Sequence, residues 1–406
     1  MVVLDNFVRR RWDKELGTAS LVPIGAPRER IAAWREISAA RLSLESVDLT
    51  DAQAVFQAVA RWAPDAIVHF GEQSSAPYSM IDAAHAAATQ VNNVVGTLNL
   101  LFAIRDLAPT CHLVKLGTMG EYGTPNIDIA EGYLEVEYNG RRDTVPYPKQ
   151  PGSFYHLSKV HDSHNILFAC RAWGLRATDL NQGIVYNVRT PYTAADARLA
   201  NRYDYDAVFG TALNRFCVQA ALGRPITVYG SGGQTRGFID LRDTVACVEL
   251  ALRNPAPPGQ LRVFNQFTEQ WSVRDLAARV RRVACDLGLR TEIVHVSNPR
   301  AEAESHYFNA ANHALFELGL RAHLLDDDTV ADLLEVAVAN RDRARPHTIA
   351  PNINWLAGGA SSIPSDGRAV AAAAAVGSQA TRPLREIRSS HDGLQATALD
   401  LLEDRG

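Results

Sequence analysis

The sequence predicts an α/β protein with a doubly wound parallel sheet and a smaller C-terminal domain. Short apolar runs, such as residues 111–116, have the length of buried strands, and stretches with helical periodicity separate them. Thr118 follows one of these runs and is expected at the carboxyl end of a strand. In an open parallel sheet, that edge is where ligands bind.

The elements follow one another in a regular order along the chain. Strands are expected at residues 2–6, 47–49, 65–70, 111–116, 176–180 and 226–230. Helices are expected at residues 28–42, 51–62, 82–105, 214–222 and 329–341, with one more near Asp243, a candidate N-cap. Residues 190–202 form a charged insertion that contains Pro, so we expect a lid or a surface loop there.

Asp5 ends the first predicted strand. In a dinucleotide-binding fold, an acid at the end of the second strand binds both hydroxyls of the adenosine ribose and selects NAD over NADP. A strand, a Gly-rich turn and a helix normally precede that acid, and the turn lets the pyrophosphate approach backbone N–H groups. Here only residues 1–4 precede Asp5.

We therefore expect a Rossmann-like sheet whose first strand and Gly-rich turn are missing, with weak NAD binding and unburied apolar faces. Two alternatives remain: the true start lies upstream, or this is a natural form with a damaged cofactor site. We assign residues 1–185 to an incomplete NAD-binding domain and residues 186–355 mainly to a substrate domain, with some segments returning to the first domain. Residues 356–406 are rich in Ala, Gly, Ser and Pro, which predicts a disordered tail.

Tyr155 and Lys159 are four residues apart, a spacing that places both on one face of a helix. An ammonium beside a phenol lowers the pKa of the phenol. Such a Tyr can take a proton from a substrate hydroxyl while a hydride leaves the same carbon. Together with Thr118, the pair predicts a catalytic set. His156 points about 100° away from Tyr155 and is either a second proton handler or a structural His at the helix surface.

Several longer motifs resemble the UDP-sulfoquinovose synthase family of the extended short-chain dehydrogenase/reductase superfamily, which includes NAD-dependent epimerases and dehydratases. These motifs are FGEQSSAPYSMID at 70–82, KLGTMGEYGTPNID at 115–128, YHLSKVHDSHN at 155–165 and VYGSGGQTRG at 228–237. The resemblance runs from about residue 2 to about residue 355.

The resemblance implies an NAD-dependent enzyme that makes UDP-sulfoquinovose from UDP-glucose and sulfite, and a homodimer formed through a four-helix contact. The cofactor residues that it implies are Asp5, Asn6, Arg9, Arg10, Asp48, Leu49, Asn92, Tyr155, Lys159 and Val185. The substrate residues are Gln73, Ser74, Thr118, Gln182, Arg236 and Arg300, and no metal is expected. For Asn92, the alternative is a tether between helix and strand. Arg236 is a candidate for the UDP phosphates because Arg makes bidentate phosphate contacts, and Arg300 is a second candidate for a phosphate or for the uracil.

Two motifs depart from the patterns of related enzymes. Ser74 stands where the family usually has Arg. The positive charge of an Arg would suit sulfite or a sulfonate, so its loss leaves the identity of the nucleophile open. Sugar-nucleotide 4,6-dehydratases carry Asp and Glu directly after the Thr, whereas this chain has Met119 and Gly120. This disfavours a dehydratase. Glu121 is either a surrogate for the missing acid or points elsewhere.

Composition limits the class of protein. The 41 basic and 45 acidic residues nearly balance, so no nucleic acid or anionic membrane is expected as a partner. No apolar run reaches the roughly 18–20 residues that span a bilayer. Five scattered Cys without metal spacing suggest a reduced, cytoplasmic protein. The alternatives are a UDP-hexose 4-epimerase and, because the Gly-rich turn is missing, a non-catalytic protein that binds sugar nucleotides.

Overall fold

Strands and helices alternate along the chain, as predicted for the α/β class. The structure is a computed structural model that describes residues 1–38, 40–300, 302–351, 353 and 355. Its strands are β1 (Val2–Asp5), β2 (Ser43–Ser46), β3 (Ala66–His69), β4 (His112–Thr118), β5 (Tyr133–Tyr138), β6 (Arg141–Pro146), β7 (Arg176–Gln182), β8 (Ile184–Tyr186), β9 (Ile226–Tyr229), β10 (Thr235–Asp240), β11 (Leu261–Gln266), β12 (Glu269–Ser272) and β13 (Ile293–Val296). The tail predicted at 356–406 lies outside the described residues.

The helices frame these strands. They are α1 (Val8–Leu16), α2 (Pro27–Ile37), α3 (Ala52–Trp62), α4 (Ala83–Gln90), α5 (Gly96–Leu107), α6 (Phe154–Trp173), α7 (Pro191–Ala195), α8 (Ala212–Ala221), α9 (Leu241–Arg253), α10 (Val273–Asp286), α11 (His313–Glu317) and α12 (Asp327–Ala339). A π-helical turn, Val91–Val95, joins α4 to α5, so the long helix predicted at 82–105 is continuous.

A parallel sheet in the order β11–β7–β4–β3 forms the centre of the fold. Side chains alternate between its faces, because successive residues of a strand point to opposite sides. Leu113 packs with α3, α5 and α6 on one face, whereas Val114 and Leu180 pack with α9 on the other. Helices therefore cover both faces, and the prediction of a doubly wound sheet is confirmed.

Strands β1 and β2 form a separate parallel pair, with Val2 opposite Ser43 and Asp5 opposite Ser46. In the described part of the chain this pair is not hydrogen-bonded to the four-stranded sheet, in keeping with the expectation of an interrupted sheet. Strand β2 ends at Ser46, so the strand end predicted at 47–49 is wrong by a few residues.

The second half of the chain has its own core. Strands β12, β10 and β8 form one sheet, β13 pairs with β9, and helices α8, α10 and α12 pack around Phe216, Leu276 and Leu333. The helices predicted at 214–222 and 329–341 are confirmed as α8 and α12.

The predicted N-cap near Asp243 is wrong by three residues, and the insertion at 190–202 is a surface segment. Asp240, and not Asp243, is the N-cap of α9, because its side chain accepts the Arg242 N–H at 2.7 Å. The insertion at 190–202 contains α7, and its Arg198 pairs with Glu36 of α2, so it is a surface segment held by ion pairs.

None of the described helices combines the length and the apolar character that a membrane span requires. The domain boundary at residue 185 stays a prediction.

Candidate active site

A cavity of about 340 Å³ opens where β4 and β7 end. It brings together many of the predicted site residues, namely Ser74, Thr118, Tyr155, His156, Lys159, Gln182 and Val185. The remaining lining residues are Phe70, Glu72, Ala76, Leu116, Gly117, Gly183, Ile184 and Thr211. The cavity therefore lies at the edge of the parallel sheet where ligand binding is expected.

Thr118 and Tyr155 meet because a strand end faces a helix start. Thr118 is the last residue of β4, and Ser153 caps α6 by accepting the His156 N–H at 3.2 Å. This cap starts the helix so that the buried Tyr155 lines the same cavity as Thr118, whose hydroxyl acts to lower the pKa of the Tyr155 phenol. Gly117 makes room for the side chains of the neighbouring strand β7, because a Cβ there would lie 2.4 Å from the Asn181 Oδ1 atom.

The electrostatics of Tyr155 differ from the prediction. Burial raises the pKa of the Tyr155 phenol, Glu121 adds to this effect, and the Thr118 hydroxyl opposes it. The Lys159 Nζ atom donates to the Leu116 carbonyl at 2.7 Å, forms an ion pair with Glu72, and lies 5.9 Å from the Tyr155 ring centroid. The predicted lowering of the Tyr155 pKa by Lys159 is therefore wrong for this structure, because burial raises the pKa and the ammonium that acts to lower it is that of Lys115.

His156 lines the cavity beside Tyr155, with 5.1 Å between the ring centroids. Its Nδ1 atom lies 3.1 Å from the Ser153 hydroxyl. Burial, followed by the positive charges of Arg236 and Arg300, lowers the pKa of His156 to about 4. The ring is thus neutral near pH 7. Because His156 lines the cavity, its role as a second proton handler stays a prediction.

Glu121 does not serve as a surrogate acid in the cavity. Its side chain is fully buried and forms ion pairs with Lys115 and Lys149. It is not among the residues that line the cavity. Of the two alternatives, Glu121 pointing elsewhere is the correct one.

Arg236 and Arg300 lie near the cavity without lining it. Arg236 pairs with Glu302, and Arg300 stacks over Trp355 at 5.4 Å from the ring centroid. Burial lowers the pKa of Arg236, Glu302 opposes this effect, and the charge of Arg300 adds to it. The two guanidinium groups therefore lie close enough to repel each other.

A third guanidinium, that of Arg215, belongs to the same group and was not predicted. Arg215 is buried in α8, donates to the Thr227 carbonyl at 3.1 Å and lies over the Tyr229 ring at 4.2 Å. Burial lowers its pKa, and Arg300 contributes to the lowering. The available signal was a single charged residue in a helix whose other residues are uncharged. Three Arg beside the one carboxylate of Glu302 leave a net positive charge that suits a diphosphate.

The residues predicted for adenosine lie at the ends of β1 and β2. The exposed Asp5 carboxylate accepts the Phe7 N–H at 2.7 Å, and the Asn6 side chain donates to Asp48 at 3.0 Å. Leu49 packs against Gly71, where a Cβ would lie 2.7 Å from the Leu49 Cδ1 atom. An exposed carboxylate at a strand end beside an apolar side chain fits the ribose and the adenine of NAD.

Other predicted cofactor residues are engaged within the protein. Arg9 pairs with Asp13 and Asp204 and stacks over Phe209 at 3.5 Å. Arg10 donates to the Gly25 carbonyl at 3.0 Å. Their contact with the adenosine phosphate stays a prediction.

The buried Asn in the π-helical turn is Asn93. Its Oδ1 atom accepts the Gln73 N–H at 2.7 Å, and its Nδ2 atom donates to the Gln73 carbonyl at 3.0 Å and the Ser158 hydroxyl at 2.8 Å. Asn92 is half-buried and donates to Asn93. Asn93 therefore ties the loop after β3 to α6, a role that sequence reasoning considered for Asn92. π-Helical turns are frequent at functional sites.

Comparisons with known proteins agree with this geometry. The model of the NAD dependent epimerase/dehydratase family matches residues 22–265. A chloroplastic UDP-sulfoquinovose synthase of Spinacia oleracea is 59% identical over 353 residues, which are 87% of this chain and 73% of the relative. A UDP-sulfoquinovose synthase of Sulfolobus acidocaldarius is 42% identical over 358 residues, 87% of this chain and 91% of the relative.

A solved structure shares the fold. The UDP-glucose 4-epimerase of Bifidobacterium longum, in complex with NAD+ and UDP, matches with a TM-score of 0.60 at 17% identity, over 86% of this chain and 92% of the epimerase. The chain therefore belongs to the NAD-dependent epimerase/dehydratase family and, within it, to the UDP-sulfoquinovose synthases.

Proposed function

We propose that this protein converts UDP-glucose and sulfite to UDP-sulfoquinovose and keeps NAD bound through the reaction. The observation that carries the proposal is the cavity at the sheet edge, where Thr118, Tyr155, His156 and Lys159 meet. The identity of 59% to the spinach synthase supports the choice of substrates.

The first step oxidises C4 of the glucose ring. Thr118 hydrogen-bonds the C4 hydroxyl, and Tyr155 takes its proton as a hydride leaves C4. NAD, when bound, supplies the hydride acceptor and returns the hydride at the end. Lys159 holds the ribose next to the nicotinamide, and Asp5 holds the adenosine ribose.

The middle steps exchange the substituent at C6. The C4 ketone makes the C5 proton acidic, and His156 accepts that proton because its imidazole is neutral near pH 7. The proton passes to the C6 hydroxyl, the C6–O bond breaks, and water leaves. The sulfur of bisulfite then bonds to C6 and C5 regains a proton. The hydride returns to C4, and Tyr155 gives its proton back to O4.

The UDP group is assigned to the positive cluster beside the cavity. Arg215, Arg236 and Arg300 carry three positive charges against the carboxylate of Glu302. We propose that the diphosphate binds there and replaces Glu302 as a partner of Arg236. Ser74 lines the cavity without a charge, so the bound sulfite lacks the cation that the family usually supplies.

The test is incubation of the purified protein with UDP-glucose, NAD+ and sulfite, followed by mass spectrometry. We expect a UDP-sulfosugar that forms only when sulfite is present. Replacement of Tyr155 by Phe should slow its formation by about 10²–10⁴-fold. The matched control is Tyr133→Phe, because Tyr133 bonds the Leu261 carbonyl away from the cavity.

Two other outcomes would decide against the proposal. UDP-galactose formed without any need for sulfite would identify a UDP-hexose 4-epimerase. Binding of UDP-glucose without NAD binding and without turnover would identify a non-catalytic sugar-nucleotide protein.

We further propose a homodimer formed by the helices next to the sheet. Phe102 of α5 and Trp173 of α6 have ring centroids 5.0 Å apart, and Phe168 of α6 is 65% exposed, so an apolar face is open for a second copy. Light scattering should show a dimer that Phe168→Glu converts to a monomer. Tyr138→Glu, at an exposed hairpin position, should leave the dimer intact. An unchanged dimer in Phe168→Glu would exclude this face.

We also propose a cytoplasmic location. It is supported by the free Cys thiols, which are buried at Cys111, Cys170, Cys217 and Cys247. Cell fractionation tests it, and recovery of the protein in an oxidising compartment would contradict it.

A further inference from the structure

Four charged side chains are buried together behind the cavity. They are Lys115 of β4, Glu121 of the turn that follows β4, Lys149 of the loop before α6, and Asp179 of β7, here named the charge cluster. The side chains of Lys115, Glu121 and Asp179 are 0% exposed, and that of Lys149 is 8% exposed. Within the cluster two cations face two carboxylates, and the buried Asp162 of α6 lies close enough to raise the pKa of Lys115 as well.

Lys115 links these elements to the catalytic helix. Its Nζ atom donates to the Lys159 carbonyl at 3.0 Å and to the Ser163 hydroxyl at 2.9 Å, both on α6. It also lies 3.2 Å from Glu121 and 3.3 Å from Asp179. The ammonium thus joins the strand that ends in Thr118 to the backbone of Lys159.

Stability alone does not explain such a cluster. Replacing a buried ion pair by apolar side chains of similar volume is often neutral or stabilising. Its placement does suggest a role, because Lys115 and Glu121 flank Thr118 along the chain and Lys115 holds the turn of α6 that follows Tyr155.

We propose that Lys115 and Glu121 are positioning residues whose buried ion pair holds the Tyr155–Lys159 turn of α6 against the end of β4. This inference rests on the proposed function of Tyr155. Removal of either charge should loosen the alignment of Tyr155 with Thr118 and lower the rate of C4 oxidation.

The two residues also act on Tyr155 in opposite senses. Glu121 raises the pKa of the Tyr155 phenol, and Lys115 lowers it. The other groups facing the phenol are Thr118, His156 and Lys159. Because all three remain in each variant, loss of one charge moves the pKa of Tyr155 in one direction only.

The sign of each shift follows from the charge that is removed. Lys115→Met should raise the pKa of the Tyr155 phenol, and Glu121→Gln should lower it. A shift on the order of one pH unit is expected for a charge at this range. A purely structural role predicts slower turnover without opposite shifts.

The experiment measures kcat for UDP-sulfosugar formation and the affinity for UDP in both variants. Each should lose about tenfold or more in kcat, whereas calorimetry should show UDP affinity within about twofold of the wild type. The matched control is Arg279→Met, which removes a charge paired with Asp327 on α10 and α12. It should leave kcat unchanged. A kcat within about twofold of the wild type in both variants would overturn the proposal.

Two further measurements keep the test decisive. If Lys115→Met does not fold, Ser163→Ala removes the neutral hydroxyl that accepts from Lys115 and donates to Asp179 at 2.7 Å. It should lower kcat by about tenfold, and an unchanged kcat would overturn the proposal.

The second measurement separates this proposal from the proposed function. ¹⁹F NMR with 3,5-difluorotyrosine at position 155 titrates the phenol without any substrate. Opposite shifts in the two variants support the inference even if the wild type makes no sulfosugar, in which case only the proposed function fails. Shifts in the same direction, or none, would overturn the inference whatever the wild type makes.

Discussion

Asn93→Ala removes the side chain that ties the loop after β3 to α6. The Asn93 amide is fully buried and makes four hydrogen bonds, two with the Gln73 backbone, one to Ser158 and one from Asn92. Ala leaves the Gln73 N–H and carbonyl without a partner in the protein interior. The same loop carries Glu72 and Ser74 into the cavity, so both stability and activity should suffer.

The magnitude follows from these bonds. A net hydrogen bond contributes about 1 kcal/mol, and a buried polar group left unpaired costs about 1–3 kcal/mol. Asn93→Ala should therefore lower the free energy of unfolding by about 3–5 kcal/mol. Asn92 is half-buried and donates one hydrogen bond, to Asn93, so Asn92→Ala should lower the free energy of unfolding by about 1 kcal/mol or less.

Urea denaturation followed by circular dichroism compares the two variants, and turnover is measured on the fraction that stays folded. Asn93→Ala should also reduce kcat, because the loop with Glu72 and Ser74 loses its fixed position. Equal stability losses in the two variants would refute the reasoning. So would an Asn93→Ala protein as stable as the wild type.

Three further outcomes are expected. The pKa of His156 is lowered from 6.5 to about 4 in the folded state, so the unfolded chain binds a proton that the folded chain does not. The free energy of unfolding should therefore fall by up to about 3 kcal/mol as the pH drops from 6.5 to about 4. Unfolding measured at each pH should show a smaller fall in His156→Asn. Arg236→Ala should weaken UDP binding by about 10–100-fold in calorimetry, whereas the exposed-pair control Arg198→Ala should not. Ser74→Arg should lower the KM for sulfite by about tenfold, and an unchanged KM would show that position 74 does not face the nucleophile.

Strand ends and helix faces could be predicted from the sequence because they depend on local patterns. The apolar run before Thr118 predicted β4, and the spacing of Tyr155 and Lys159 predicted that both lie on α6. Their meeting in one cavity follows from the topology of a parallel sheet. These parts of the site needed no knowledge of distant contacts.

The residues that sequence reasoning missed are those defined by distant partners. Glu72 contacts Lys159, Asn93 contacts Gln73, and Arg215 joins two other Arg from separate segments. The partners lie in separate segments, so no regular spacing in the sequence marks these pairs.

The pKa of Tyr155 was mispredicted for a similar physical reason. The Tyr-Lys spacing indicates a nearby ammonium, but it does not show how deeply the phenol is buried or that Glu121 lies behind it. Desolvation depends on every element packed around the ring, so only the folded structure reveals its size.

The most direct test of the proposed chemistry uses UDP-glucose carrying deuterium at C4, supplied with NAD+ and sulfite. A hydride that leaves C4 and returns to it predicts a UDP-sulfosugar that keeps the deuterium, formed more slowly than from unlabelled substrate where hydride transfer limits the rate. Tyr155→Phe should yield almost none of it. A sulfosugar that has lost the deuterium, or equal product from Tyr155→Phe, would contradict oxidation at C4 by this site.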